Sequence, residues 1–134
     1  MRETVRALLA NDPTLAGLLT GGVYGATEIS RQNTAAAFDA NGELLPCALV
    51  KLETETPGGP YDTSSRQFIL ILFYQRSGRT TIDAAVARAF TLLNRVKAGT
   101  NVWEIVHADD VLDLEDQALE CSLAMSRYVA VRLR

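Results

Sequence analysis

Apolar residues run without interruption from Phe68 through Ile69, Leu70, Ile71, Leu72 and Phe73 to Tyr74. A strand with no polar face needs cover on both sides, so the pattern predicts a strand over 66–76 at the centre of a sheet. Just beyond it, Ile82, Val86, Ala89, Phe90, Leu93 and Val96 recur at steps of three and four, with Asp83, Arg88 and Arg95 off that stripe. This spacing predicts an amphipathic helix over 81–98 that covers one face of the strand. Ser77-Gly78 turns the chain between them, Thr80 or Thr81 is the expected N-cap, and Gly99 followed by Asn101 is the expected stop.

The other elements dock on that pair. A short helix over 3–10 places Val5, Leu8 and Leu9 on one side, and Asp12-Pro13 restarts it so that Leu15, Leu18 and Leu19 extend the apolar face. Gly21-Gly22 stops it, and a short strand is expected over 23–29. Residues 30–45 are polar and Ala-rich with an Asn41-Gly42 turn signal, the pattern of a surface excursion rather than of core. In a strand over 46–54, Ala48, Val50 and Leu52 share one face, and Lys51 and Glu53 help to make the other. The segment 55–65, with Pro57-Gly58-Gly59-Pro60, reads as a long hairpin loop whose tip stands clear of the domain. Strands follow over 102–108 and 123–133, the second with Leu123, Met125, Val129, Val131 and Leu133 on a face broken only by Arg127. Residues 109–120 fit a strand extension, a loop or a short helix. The whole predicts one α+β domain over 1–134: a mainly antiparallel sheet of four to five strands, both helical regions on one face, and extended loops at 30–45 and 55–65.

Charge and chemistry narrow the function classes. With 13 basic against 16 acidic residues the net charge is -3, no footprint for gripping nucleic acid. All the basic residues except Lys51 and Lys97 are Arg, which suits interfaces and is equally accounted for by GC-rich coding. Cys47 and Cys121 lie far apart and form no ligand spacing with His107, so both are expected as reduced, buried hydrophobes. No signal-like or membrane-length apolar run occurs, giving the expectation of a protein made and kept in a cytoplasm, without a membrane. The acidic residues Asp109, Asp110, Asp113, Glu115, Asp116 and Glu120 match no Ca²⁺ loop and read as a charged surface. His107 beside Asp109 lacks a companion nucleophile, and no phosphate-binding, hydrolase or zinc motif is present. Trp103, Tyr24, Tyr61, Tyr74 and Tyr128 are not interleaved with a basic cluster, so they read as core or interface anchors rather than stacking platforms for single-stranded nucleic acid. No catalytic, cofactor or metal residue is assigned.

Several stretches resemble the tail terminator, or tail completion, proteins of long-tailed bacteriophages. They are Leu15-Ala16-Gly17-Leu18-Leu19 running into Gly22-Val23-Tyr24, then Leu45-Pro46-Cys47-Ala48-Leu49-Val50, then 66–74 with the Ala-rich helix behind it, and finally Ser126-Arg127-Tyr128-Val129-Ala130-Val131. The resemblance implies a structural virion protein of the tail or neck, assembled in the host cytoplasm and not an enzyme. It implies a homo-oligomeric, six-membered ring that caps the tail tube, binds the tail tube protein and a head-side connector or stopper, and passes DNA through its lumen. Another head–tail joining protein of the same neck is the nearest alternative; from a different class, a small cytoplasmic α+β enzyme or ligand-binding domain is the rival. In a ring, the acidic run with Asp113, Glu115 and Asp116 is expected to face Arg79, Arg88, Arg127 or Arg132 of the next subunit, or else to line the lumen and repel DNA. The 55–65 loop, stiffened by Pro57 and Pro60 and carrying Tyr61, is expected to be a docking arm.

Overall fold

The computed structural model describes residues 1–25, 28–58, 64–97 and 102–133. Helices α1 (Arg2–Ala10) and α2 (Pro13–Leu18) open the chain, and Asp12 separates them by accepting the Leu15 N–H on Oδ2 at 3.0 Å. A two-residue strand β1 (Val23–Tyr24) follows, then β2 (Cys47–Pro57), β3 (Ser64–Gln75), α3 (Thr80–Leu93), β4 (Val102–Asp116) and β5 (Cys121–Leu133). They form one sheet in the order β1-β2-β3-β5-β4, parallel only between β1 and β2. The fold is α+β, and β3 occupies the central position its double-sided apolar pattern demands.

All three helices cover one face. Val5, Leu9, Leu15, Ile82, Ala85, Ala89 and Leu93 meet Ala48, Val50, Ile69, Ile71, Phe73, Ala124, Tyr128 and Ala130 in a single buried cluster. The alternation of the strands decides which residues enter it, so Leu70 and Leu72 point the other way and stay half-buried. Phe90 departs from the expected helical stripe: it is 44% exposed, and its ring packs edge-on against His107 instead of entering the core.

A second, smaller cluster lies on the opposite face, where Ile29, Ala37 and Leu44 pack on Cys47, Leu49, Tyr74 and Cys121. This corrects the reading of 30–45 as a surface excursion. Its single 3-10 turn, Ala35–Ala37, and the turn at Gly42 (φ +77) let isolated apolar side chains reach the sheet without helical or strand periodicity.

Other expectations shift at their ends. Helix α3 stops at Leu93 rather than 98, because Arg95 adopts φ 67 and the chain at Arg95 and Val96 exchanges backbone hydrogen bonds with Ile105. Its N-terminus is capped from outside: Gln75 Oε1 accepts from the Thr81 and Ile82 N–H groups, and the N-cap residue is Arg79 rather than a threonine. The predicted stop at Gly99 and Asn101 lies outside the described residues. The 23–29 strand is only Val23–Tyr24. The 55–65 loop is also corrected, since Glu55, Thr56 and Pro57 pair with Gln67, Arg66 and Ser65. Pro57 is tolerated there because β1 covers β2 only at Ala48 and Leu49, leaving the rest of β2 on a free edge that needs no N–H donor. Pro60 and Tyr61 fall outside the described residues. Of the three readings for 109–120, strand extension holds, with β4 running to Asp116 and turning into β5 at Cys121.

Candidate assembly surfaces

The acidic run lies along β4 and its turn into β5, at the sheet edge. Each arginine expected to meet it from a neighbouring subunit has a carboxylate in its own chain. Arg127 pairs with Asp109 at 2.9 Å and Arg79 with Asp113 at 3.5 Å. Arg79 also donates to the Leu114 and Leu123 carbonyl oxygens, tying the start of α3 to the β4–β5 hairpin. Arg132 pairs with Glu55 at 3.6 Å, and Arg88 grips Asp12 through Nε and Nη2 at 3.0 and 2.8 Å. That guanidinium, helped by the Leu15 and Thr14 N–H groups, holds the Asp12 carboxyl down at about 2 against burial acting the other way. Asp12 thus caps α2 and clamps it to α3 across 76 positions of sequence, a pairing no local pattern reveals.

Glu115, Asp116 and Glu120 make no ion pair among the described residues; Asp116 only accepts the Leu119 N–H. Arg76 lines the depression between them but pairs with Glu43 at 2.9 Å. The end of the hairpin therefore carries free negative charge. At its root Leu112 is 47% exposed, and Asp113 takes φ 59. The pairing of β4 with β5 breaks register three times, between Val102 and Glu104, His107 and Asp109, and Val111 and Leu114. Such bulges, with Asp109, Asp110 and Asp113 beside them, blunt an edge against strand addition.

Among the described residues, the sheet face away from the helices is covered at one end only. Register places Lys51, Leu70, Arg127 and Asp109 in one row across it, then Phe68, Val129 and Val106, then Thr56, Arg66, Val131 and Glu104. The cluster of Ile29, Ala37 and Leu44 stops at the row of Leu49, Leu72 and Met125, and beyond it Phe68, Leu70, Val129 and Val131 are half-buried. A depression of about 260 Å³ is lined by Glu53, Thr54, Phe68 and Arg127, with the guanidinium 5.6 Å from the Phe68 centroid. Lys51 and Arg66 form no ion pair among the described residues. The sequence signal for this face was the polar-free run of β3, which required two covers.

His107 sits edge-on between Phe90 and Tyr128, its Nε2 2.9 Å from Asp110 rather than from Asp109. Burial raises the Tyr128 phenol, with the Asp110 charge adding to it, and its hydroxyl has no hydrogen-bond partner among the described residues. Tyr24, Tyr74 and Tyr128 pack in the sheet clusters, as expected of anchors. Cys47 and Cys121 are free and buried, and burial pushes their thiols up to about 12 and about 11. Among the described residues no three His, Cys, Asp or Glu side chains gather as a metal site, and no helix is long and apolar enough to cross a membrane. A cleft of about 620 Å³ opens on the outside of the helical layer, lined by Ala7, Leu8, Pro13 and Leu92 with Asn11 and Asp12 at hand. A ligand-binding reading expects its pocket between sheet and helices, where Val5, Leu9, Ile82 and Ala89 instead pack closely with Val50, Ile69, Ile71 and Phe73.

The architecture defines a class, an α+β domain with one helical layer on a mainly antiparallel five-stranded sheet. No protein-family model and no curated protein matches the sequence. Among solved structures, the chain is similar to one from the virion of a native gene transfer agent (GTA) particle, with TM-score 0.70 and 15% identity over 100% of this chain and 95% of that one. At that identity the likeness establishes a shared fold.

Proposed function

We propose that this protein is a structural component of a phage-like virion, acting as a tail terminator. In this reading it forms a homo-oligomeric ring, six-membered by the resemblance, that caps the tail tube, stops its growth and joins it to the head-side connector or stopper. DNA passes through the lumen without being gripped or chemically altered, and the site of action is the neck of the particle. The observation that carries the reading is the end-to-end fold likeness to a chain of a gene transfer agent virion, taken with the terminator-like stretches along the sequence. The surfaces it uses are the acidic β4–β5 end with Asp113, Glu115 and Asp116, and the β2–β3 arm that begins at Pro57 and continues through Pro60 and Tyr61. Arg79, Arg88, Arg127 and Arg132, held in ion pairs within the chain, act in this reading by fixing the shape of those surfaces.

Native mass spectrometry of the purified chain, followed by its addition to polymerising tube protein of the same particle, tests this. A discrete ring that fixes tube length is expected. A chain that stays monomeric and leaves tube length unchanged refutes it. Replacing residues 58–63 by a tight Asn-Gly turn tests the arm separately: unaltered folding with lost capping is expected, and normal capping removes the arm's role.

A further inference from the structure

Among the described residues, the sheet face opposite the helices has no cover beyond the Leu49–Leu72 row, although Phe68, Leu70, Val129 and Val131 lie half-buried on it. We propose that its occupant is a second copy of this chain, whose β4–β5 hairpin end lies across Phe68 and Leu70. This rests on the ring reading above and names the contact that builds the ring.

Three observations select that occupant. The bare half-face carries Lys51 and Arg66 without ion pairs, against one unpaired carboxylate, Glu53, among the described residues, so its free charge is positive. The hairpin end carries Glu115, Asp116 and Glu120 unpaired, so its free charge is negative, and Leu112 beside it is 47% exposed. An apolar anchor with acidic flanks thus meets an apolar face with basic flanks, the arrangement in which the anchor supplies affinity and the rim charges supply orientation. Finally, both edges are blunted: β4 breaks register three times and bears carboxylates at the breaks, and the free length of β2 carries a register break between Leu52 and Glu55 and ends in Pro57. Contact by face remains.

The geometry also suits one kind of assembly. The hairpin end lies at the Gln75–Ser122 end of the sheet, and Arg66 pairs with Val131 toward the other. Arg66 and Gln75 are nine positions apart on β3, about 30 Å of strand. The donating and receiving surfaces are therefore different patches, so a copy can receive one neighbour and donate to another. Such a head-to-tail contact closes into a ring when its rotation divides a full turn.

The experiment is charge reversal with rescue, read by native mass spectrometry and sedimentation across a dilution series. Three variants of the full chain are compared with the parent: Glu115→Lys with Glu120→Lys, Lys51→Glu with Arg66→Glu, and all four together. Each reversal alone is expected to raise the concentration for half-assembly at least tenfold at low salt. The fourfold variant, which restores opposite charge at every contact, should return to within threefold of the parent, and 0.5 M salt should shrink all these differences. Melting curves check folding, and any reversal that melts far below the parent is replaced by its Gln counterpart, for which a smaller loss, shrinking in 0.5 M salt, and no rescue by neutralising the other side are expected. A parent that assembles with single reversals assembling equally well overturns this contact alone. Reversals that disrupt assembly without mutual rescue overturn it too. A parent that never assembles removes the ring reading together with the contact.

Discussion

Replacing Phe73 and Phe90 separately by Ala asks whether burial or periodicity governs the stability of this fold. The two side chains are chemically identical, and both belong to the apolar patterns of the central strand and helix. Phe73 is 0% exposed in the main cluster, whereas Phe90 is 44% exposed at the margin of α3 beside His107. Removing a fully enclosed phenyl forfeits its transfer free energy and leaves a cavity, costing about 3–5 kcal/mol. For Phe90 roughly half of a ~200 Å² side chain leaves contact with protein, and water refills the gap, so at about 25 cal/mol/Å² the loss, after allowing for what Ala retains, is about 1–2 kcal/mol. The difference, about 1–4 kcal/mol, is a large share of a small domain's stability. Urea unfolding followed by circular dichroism at one fixed protein concentration measures both, and unchanged m-values license the comparison. Losses equal within error would refute the assignment of faces on β3 and α3.

Three further outcomes follow from local chemistry. The Asp12 carboxyl titrates at about 2 in the folded chain, below its ordinary 3.8, so its contribution to stability is full above about pH 4 and lost as pH falls through about 2; the melting temperature of the parent should fall across that window, and Asp12→Asn should melt lower at neutral pH with a shallower acid slope. Gln75→Ala removes the acceptor for the Thr81 and Ile82 N–H groups and should cost about 1 kcal/mol in denaturant unfolding, as loss of a helix cap does; no measurable change would show that water replaces it. Because burial raises the Cys47 and Cys121 thiols to about 12 and about 11, neither should react with a thiol reagent at pH 8 until denaturant is added, and rapid labelling of the native chain would contradict their burial.

How much of this was legible depends on whether a signal is local and periodic. The centre of the sheet could be read because residues 68–74 have no polar face, and α2 because Asp12-Pro13 is a start signal with a geometric cause. The extent of β4 was ambiguous because its three register breaks shift the inward face, so strict alternation does not survive from Val102 to Asp116. The hairpin of β2 and β3 was longer than predicted because Pro57, a breaker in the middle of a sheet, is harmless on a free edge. The cover over Cys47 and Tyr74 comes from Ile29, Ala37 and Leu44, single residues in an irregular segment that no period connects. Among the candidate interface residues, the arginines could be named from composition, but their partners could not. Arg88 finds Asp12 across three elements, and only folding brings the two together.

The strand order carries a cost in time. β5 follows every other described strand along the chain, yet it occupies an interior slot between β3 and β4. The β2–β3 hairpin can zip early, being a local contact, but its second edge then waits for a partner that begins at Cys121. During that interval the run from Phe68 to Tyr74 offers an unpaired, strongly β-forming apolar edge to any other chain nearby. Docking of the β4–β5 hairpin must close a long loop through α3 before the main-chain bonds of β3 are complete, a non-local contact of the kind that slows folding. The same central strand that holds the native sheet together is thus the segment most exposed to misassembly while the chain is still incomplete in its fold, and crowding of nascent copies should depress yield more through that interval than through any weakness of the finished domain.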